Sequence, residues 1–344
     1  MMKEPQKTML FQLRDLKVWF PITKGFPKKV IGHVKAVDGV SLDVYQGETL
    51  GIVGESGCGK TTLGKTIMQM IRPTGGQIKF LYGENLIDVT TFGKKDIHAF
   101  RKKVQMVFQD PYSALNPMKT VYTALEEPLK IHHVTSRSER EDIMRNTLQI
   151  VNIPTEYLSK YPHEFSGGQR QRICIARALQ VNPDVLVCDE AVSAMDVSIQ
   201  AQVLNLLKEI QIKRKLTYIF IAHDLSVVQY MSDRIAVMYL GKVVELAGAD
   251  ELYNNTLHPY SQSLLSAVPV ASLQQKKKRI ILKGDVPSPI HKPKGCAFHT
   301  RCNSCMDICR EVSPELTPHG NADHQVACHL YTQESQSKGR EQHD

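Results

Sequence analysis

Nowhere in its 344 residues does the chain approach the roughly 18 consecutive apolar side chains that a membrane span needs. Its first stretch, Met1 to Thr8, is polar and has no apolar core of a signal-peptide kind. A cytosolic protein is expected, with room to dock on a membrane protein. Aromatic residues make up only 7%, with a single tryptophan, and no zinc finger or RNA-recognition motif is present. No basic stripe carries interleaved aromatics either. The net charge of +8 therefore reads as a solvated, mildly basic surface, and nucleic acid is not an expected partner. The run Lys276-Lys277-Lys278-Arg279 reads as a loop or exposed linker. Cysteine is sparse through most of the chain, where only Cys58, Cys174 and Cys188 occur. The other five, Cys296, Cys302, Cys305, Cys309 and Cys328, fall close to the end. In a cytosolic protein such a cluster favours metal over disulfides.

What is present is a globular composition, 42% hydrophobic and 23% charged, in a chain long enough for a large domain plus a smaller one. Its organising stretch is Gly54-Glu55-Ser56-Gly57-Cys58-Gly59-Lys60-Thr61, which fits the phosphate-binding loop pattern. The apolar run Thr49 to Val53 precedes it as a buried strand, and Thr62 to Met70 follows as a helix. Glycines let backbone N–H groups turn toward a phosphate, and the helix directs its positive end at the same anion. Lys60 suits the β- and γ-phosphates, and the Thr61 hydroxyl suits Mg²⁺.

Taken in order, Leu10 to Trp19 alternates as a strand. Pro21 to His33 reads as a hairpin or inserted loop, and Val34 to Val44 as a strand pair. Phe20, or Trp19, could stack on an adenine. Gln77 to Tyr82 and Val104 to Phe108 are strands, the latter ending at Gln109. Prolines between Ser113 and Pro128 predict loops and short helices. Ser138 to Val151 is an amphipathic helix. Ser166-Gly167-Gly168-Gln169 opens a helix over Ile173 to Leu179 and offers a second anion site. Val185 to Asp189 is an apolar strand delivering Asp189 and Glu190, with Asp189 placed for Mg²⁺ and Glu190 near an attacking water. Ser198 to Lys213 is helical. Thr217 to Ala222 is a strand ending at His223, so three strand ends deliver polar groups to one sheet edge, where ligands of open α/β sheets bind.

Together these residues resemble the ATP-binding cassette family, over residues 10 to about 248. Gln109 stands at its Q-loop, Phe165 to Gln169 at its signature, Ser193 to Asp196 at its D-loop and His223 at its switch histidine. Phe165, Ala191 and Met195 depart from the commonest residues without removing a catalytic group. Phe108-Gln109-Asp110-Pro111, Ser113 to Pro117, Glu127-Pro128-Leu129, His258-Pro259-Tyr260, Gly295 to Phe298 and Val326 to Leu330 narrow the likeness to oligopeptide/dipeptide importers. They extend it to about residue 330.

The resemblance implies an α/β P-loop NTPase core with an antiparallel β subdomain and an α-helical subdomain (about 110–180), plus a small Cys-rich extension. The nucleotide-binding domain would span 1–248 and the extension 249–344. The expected activity is ATP hydrolysis coupled to import of peptides. Related importers carry nickel or other small solutes. A soluble cassette ATPase acting on nucleic acid or ribosomes, or a metal-binding regulatory module, is the competing class.

Residues Gly54 to Thr62, with Phe20, would hold one ATP. Thr61, Gln109 and Asp189 would hold its Mg²⁺, and Glu190, His223 and Gln109 would act in hydrolysis. Ser166, Gly167, Gly168 and Gln169 would serve the ATP of a paralogous ATPase subunit. Two membrane permeases and an extracytoplasmic substrate-binding protein complete the expected assembly at the cytoplasmic face of the membrane. For the cysteines, spacing alone admits zinc or a four-iron four-sulfur cluster, with His299, His319, His324 and His329 as further zinc ligands. The resemblance favours iron–sulfur on Cys296, Cys302, Cys309 and Cys328, with Cys305 spare.

Overall fold

A computed structural model describes residues 7–26, 29–193, 195–267, 280–282 and 284–331. The start of the chain up to Gln6, Ala194 of the D-loop and the basic run 276–279 lie outside the described residues.

The chain opens with β1 (Met9–Lys24) and β2 (Lys29–Tyr45), a long antiparallel hairpin. β3 (Thr49–Val53) runs into the phosphate loop, and α1 (Lys60–Ile67) leaves it. β4 (Gly75–Tyr82) and β5 (Asn85–Asp88) return to the hairpin, giving a four-stranded sheet in the order β2-β1-β4-β5. α2 (Lys94–Lys103) leads to β6 (Val104–Val107). A helical stretch follows: α3 (Pro111–Ala114), α4 (Val121–Ile131), α5 (Arg137–Ile150) and α6 (Gly167–Leu179). Strand and helix then alternate through β7 (Val185–Asp189), α7 (Val197–Arg214), β8 (Thr217–Ile221), α8 (Leu225–Met231) and β9 (Arg234–Tyr239). β10 (Lys242–Gly248) turns back antiparallel to β9. The last elements are α9 (Ala249–Asn254), α10 (Pro259–Ser266), α11 (Ile308–Glu311), β11 (Thr317–His319) and β12 (Asn321–Val326).

The main sheet has the order β11-β12-β10-β9-β3-β8-β7-β6. Its strands from β9 to β6 are parallel, and β3, β7 and β8 are buried at every position. That burial explains why they read as unbroken apolar runs, since helices cover both faces of a parallel sheet. One apolar core joins the four-stranded sheet to α1 and the near face, through Phe11, Phe80, Leu63, Val187 and Ile221. Another fills the far face, where Leu125, Leu148, Leu207, Phe220 and Val228 pack together with Tyr260 and Phe298 from the C-terminal part.

Several local expectations need correcting. β2 is one strand and not a pair: the apparent break at Gly39 (φ +84°) is a bulge, where the pairing steps from Leu16–Val40 to Lys17–Asp38. Pro21 continues β1 because beyond Lys17 that strand pairs with β2 alone, so its missing N–H interrupts no second ladder. Pro128 lies inside α4. An interior proline costs about 3 kcal/mol or more, but buried Val121, Leu125 and Leu129 each return roughly 1.5–3 kcal/mol. α6 begins at Gly167 and not at Ile173, because Ser166 caps it. The C-terminal part is stitched to the main sheet: β12 pairs with β10 at Glu245–Val326 and Leu246–Gln325.

Candidate active site

β3 sets the site by delivering its last residue, Val53, to the sheet edge, where the chain must turn sharply. Gly54 and Gly59 make that turn at φ +154° and +107°. A Cβ on Gly59 would stand 2.0 Å from the Ala36 carbonyl oxygen, and one on Gly54 would stand 2.2 Å from that of Met238. Only glycine allows this approach. Lys60 begins α1 and is buried; its Nζ donates to the carbonyls of Gly54 (2.8 Å) and Glu55 (3.1 Å), so the ammonium lies folded along its own loop.

Three further strand ends converge on this loop. From β7, Asp189 Oδ1 accepts a hydrogen bond from Thr61 Oγ1 at 2.9 Å. Burial pushes the Asp189 carboxyl up from the ordinary value, the Thr61 bond pulls it down, and the neighbouring Glu190 raises it again. A buried carboxylate hydrogen-bonded to a hydroxyl is a donor set that suits Mg²⁺. Glu190 follows with φ +49°, a left-handed conformation uncommon away from glycine, and its N–H is tied to the Ile221 carbonyl of β8 (2.8 Å). Its Oε2 accepts from Gln109 Nε2, beyond β6, at 2.7 Å, and faces His223 Nδ1, beyond β8, at 3.4 Å. Glutamine, glutamate and histidine from three strand ends are therefore one contact group.

Gln109 and Glu190 line a cavity of about 270 Å³ together with Ala36, residues of the phosphate loop and Thr62, while His223 lines a separate cavity of about 110 Å³ on the other side of Glu190. The first is at or below the low end of roughly 300–1,000 Å³ for ligand pockets. Larger cavities elsewhere hold neither the loop nor the acids. Ser166, Gly167, Gly168 and Gln169 line none of this cavity. They form a capping box at the start of α6, with Gln169 N–H donating to Ser166 Oγ (3.3 Å) and Ser166 N–H donating to Gln169 Oε1 (3.0 Å). Gly167 has open space on its Cβ side, whereas a Cβ at Gly168 would meet Ile199 at 2.4 Å. Phe20 is 40% exposed on β1. Trp19 is less available, because its Nε1 donates to Asp38 and the Lys35 ammonium covers its ring at 4.4 Å.

Two residues that sequence reasoning gave no role also touch the loop. Tyr260 Oη accepts from Glu55 N–H at 2.8 Å, and Arg301 binds the Glu55 carboxylate through both terminal nitrogens. Tyr260 sits in the His258-Pro259-Tyr260 motif, but nothing local in the sequence ties either residue to position 55.

Among the cysteines, Cys296 N–H donates to the Cys309 carbonyl at 2.8 Å. Burial pushes the Cys328 thiol up to about 12, and Cys296, Cys302 and Cys309 each add to the rise. The four thiols therefore lie within one another's field, while Cys305 perturbs only Cys302 among them. Among the described residues, no group of three or more His, Cys, Asp or Glu side chains is drawn together as a metal cage. The candidate histidines are engaged elsewhere: His299 with the Cys296 carbonyl, His329 with that of Val312, His324 with Glu245, and His319 against the Tyr331 ring.

A phosphate loop at a parallel strand end, an acid pair at the end of the strand two places along the same sheet and a capped glycine helix that lines no part of the loop cavity define an ATPase of the ATP-binding cassette class. Known proteins agree. The ABC transporter family matches residues 37–193, and the oligopeptide/dipeptide transporter C-terminal region matches residues 244–309. The chain is 52% identical to the oligopeptide transport ATP-binding protein AppF of Bacillus subtilis, over 95% of this chain and 98% of that one. It is 45% identical to the dipeptide transport ATP-binding protein DppF of Escherichia coli, over 94% and 95%. A dimeric, post-hydrolysis structure of the ATP-binding cassette MJ0796 with ADP and Pi superposes with a TM-score of 0.60 at 25% identity, over 70% of this chain and 99% of that one. The chain belongs to the ABC transporter family, in its oligopeptide/dipeptide branch. No helix among the described residues is long and apolar enough to cross a membrane.

Proposed function

We propose that this chain is the ATP-hydrolysing motor subunit of a peptide importer. The observation that carries the reading is that Gln109 and Glu190 share a cavity with the phosphate loop, with the Thr61–Asp189 pair in the loop's wall and His223 in contact with Glu190. The loop N–H groups and Lys60 hold the β- and γ-phosphates, and Lys60 must leave the Gly54 and Glu55 carbonyls to do so. Thr61, Asp189 and Gln109 are the groups that would hold Mg²⁺, which would neutralise charge developing on the phosphates. Glu190 orients a water for in-line attack and takes its proton. His223 contacts the γ-phosphate and holds Glu190 in place. Phe20 offers its exposed face to the adenine.

The cavity leaves one side of the nucleotide open. Residues 166–169 belong to a second site: the backbone N–H groups of Gly167 and Gly168, which the capping box does not use, complete the cradle of an ATP held by a paralogous subunit. That subunit's signature closes this one. Closure moves the helical stretch that begins at Gln109 against two membrane permeases, which receive peptide from an extracytoplasmic binding protein. The motor therefore sits on the cytoplasmic face of the membrane. The thiols of Cys296, Cys302, Cys309 and Cys328 are the donor set for a four-iron four-sulfur cluster that staples a segment with little core of its own.

Purification of the complex from its native membrane tests the reading. Two hydrophobic subunits and a second cassette should accompany the chain, and reconstituted vesicles should show ATP turnover stimulated by peptide-loaded binding protein. Turnover indifferent to peptide would overturn the cargo. Anaerobic protein should carry iron, sulfide and a broad absorbance near 400 nm, and their absence would remove the cluster.

A further inference from the structure

We propose that Arg301 and Tyr260 are positioning residues for the phosphate loop, so that the C-terminal segment sets the loop's geometry. The proposal rests on the assignment of ATP to that loop. It begins at Glu55, whose polar groups are all committed. Its N–H donates to Tyr260 Oη (2.8 Å), and its carbonyl accepts from Lys60 Nζ (3.1 Å). Its carboxylate accepts from Arg301 Nη1 (2.8 Å) and Nη2 (3.1 Å). Two of these three anchors come from more than 200 residues further along the chain.

The anchor points are themselves rigid. The Tyr260 ring is fully buried and packs on Tyr239 and Phe298 at 4.6 and 5.4 Å between ring centres. The Arg301 side chain is only 8% exposed, and Glu55 is 25% exposed. A paired guanidinium and carboxylate this shielded from water form a directional clamp, unlike a surface ion pair. Arg301 directly precedes Cys302, and Phe298 lies two residues after Cys296. The thiol segment and the phosphate loop are thus one mechanical unit.

The test uses the full chain with a fluorescent ATP analogue, and backbone hydrogen exchange of residues 54–60 without nucleotide. Arg301→Gln should weaken analogue binding about fivefold to tenfold, the loss of a charge-assisted bond, and speed exchange of the loop amides. In the assembled ATPase KM should rise with kcat held. Arg301→Lys should restore part of the affinity. Glu55→Gln should give a similar loss, and the two changes together should lose no more than either alone. A merely structural Arg301 would instead lower the melting temperature and add to Glu55→Gln. Tyr260→Phe keeps the ring packing and removes only the oxygen, and it carries the test if Arg301→Gln does not fold. Wild-type loop exchange with wild-type affinity in Arg301→Gln and Tyr260→Phe would overturn the inference. Failure of the wild-type chain to bind the analogue would instead count against ATP at the loop, and the exchange measurement would still decide the clamp.

Discussion

Acid should destabilise this protein through one buried histidine. His258 is 1% exposed at the start of α10, where its Nδ1 accepts the Tyr260 N–H at 3.0 Å. Its own N–H donates to Glu245 Oε2 at 3.1 Å, and the Phe298 ring lies 5.8 Å away. A protonated ring would be desolvated, and its Nδ1 could no longer accept. Burial accordingly lowers its pKa from 6.5 to about 4, with Glu245 opposing. The folded value is depressed, so the unfolded chain binds the proton more readily. The stability is present in full above pH 6.5 and is lost as pH falls toward 4. Linkage between those two values gives a loss of about 2 kcal/mol by pH 5 and about 3 kcal/mol by pH 4. Other groups titrate over the same range, so the perturbation is His258→Asn, which keeps a side-chain acceptor for the cap and cannot protonate. Urea denaturation of both chains at pH 7 and pH 5 gives the difference directly. The wild type should lose about 2 kcal/mol more than the variant over that interval. Equal losses in the two would refute the reasoning.

Other perturbations act on the loop and its metal. Gly59→Ala places a Cβ against the Ala36 carbonyl at φ +107°, so ATP affinity should fall at least about tenfold in an analogue titration. Gly57→Ala carries the same kind of backbone strain at φ +78° but has nothing within 4 Å of its Cβ site, so it should lose less, and similar losses in both would remove the argument from the clash. Thr61→Val keeps the shape of the side chain and removes the bond to Asp189. ATP affinity should drop about tenfold in Mg²⁺ and stay unchanged in EDTA, since a bond to a charged group contributes about 1.5–3 kcal/mol. An equal drop in both buffers would take Thr61 away from the metal.

The chemistry of the loop was legible because it is local: the glycines, Lys60 and Thr61 lie within eight residues, and β3 and α1 flank them. The acids and His223 were legible because each ends an apolar strand. That Gln109 acts with them came from the family resemblance alone, and their direct contacts follow from the β6-β7-β8 order, which no spacing shows. Composition misled at Pro128, where buried neighbours outweigh the local penalty, whereas the hairpin read over Pro21 to His33 is present, with its arms paired from Pro21–His33 to Lys24–Lys29. Glu245 was hidden altogether: a charged residue in a strand suggests a solvated face, yet it is fully buried. It accepts from the Leu257 and His258 backbones and pairs with His324 of β12. Such long-range partners leave no spacing signal.

The most direct test of the central claim is single-turnover ATP hydrolysis by the assembled complex carrying Glu190→Gln. The amide keeps an oxygen for the Gln109 Nε2 bond of 2.7 Å but cannot take a proton from water. ATP binding should be retained while turnover falls by about 10²–10⁴, the usual contribution of a general base. Near-normal hydrolysis in that complex would contradict the account.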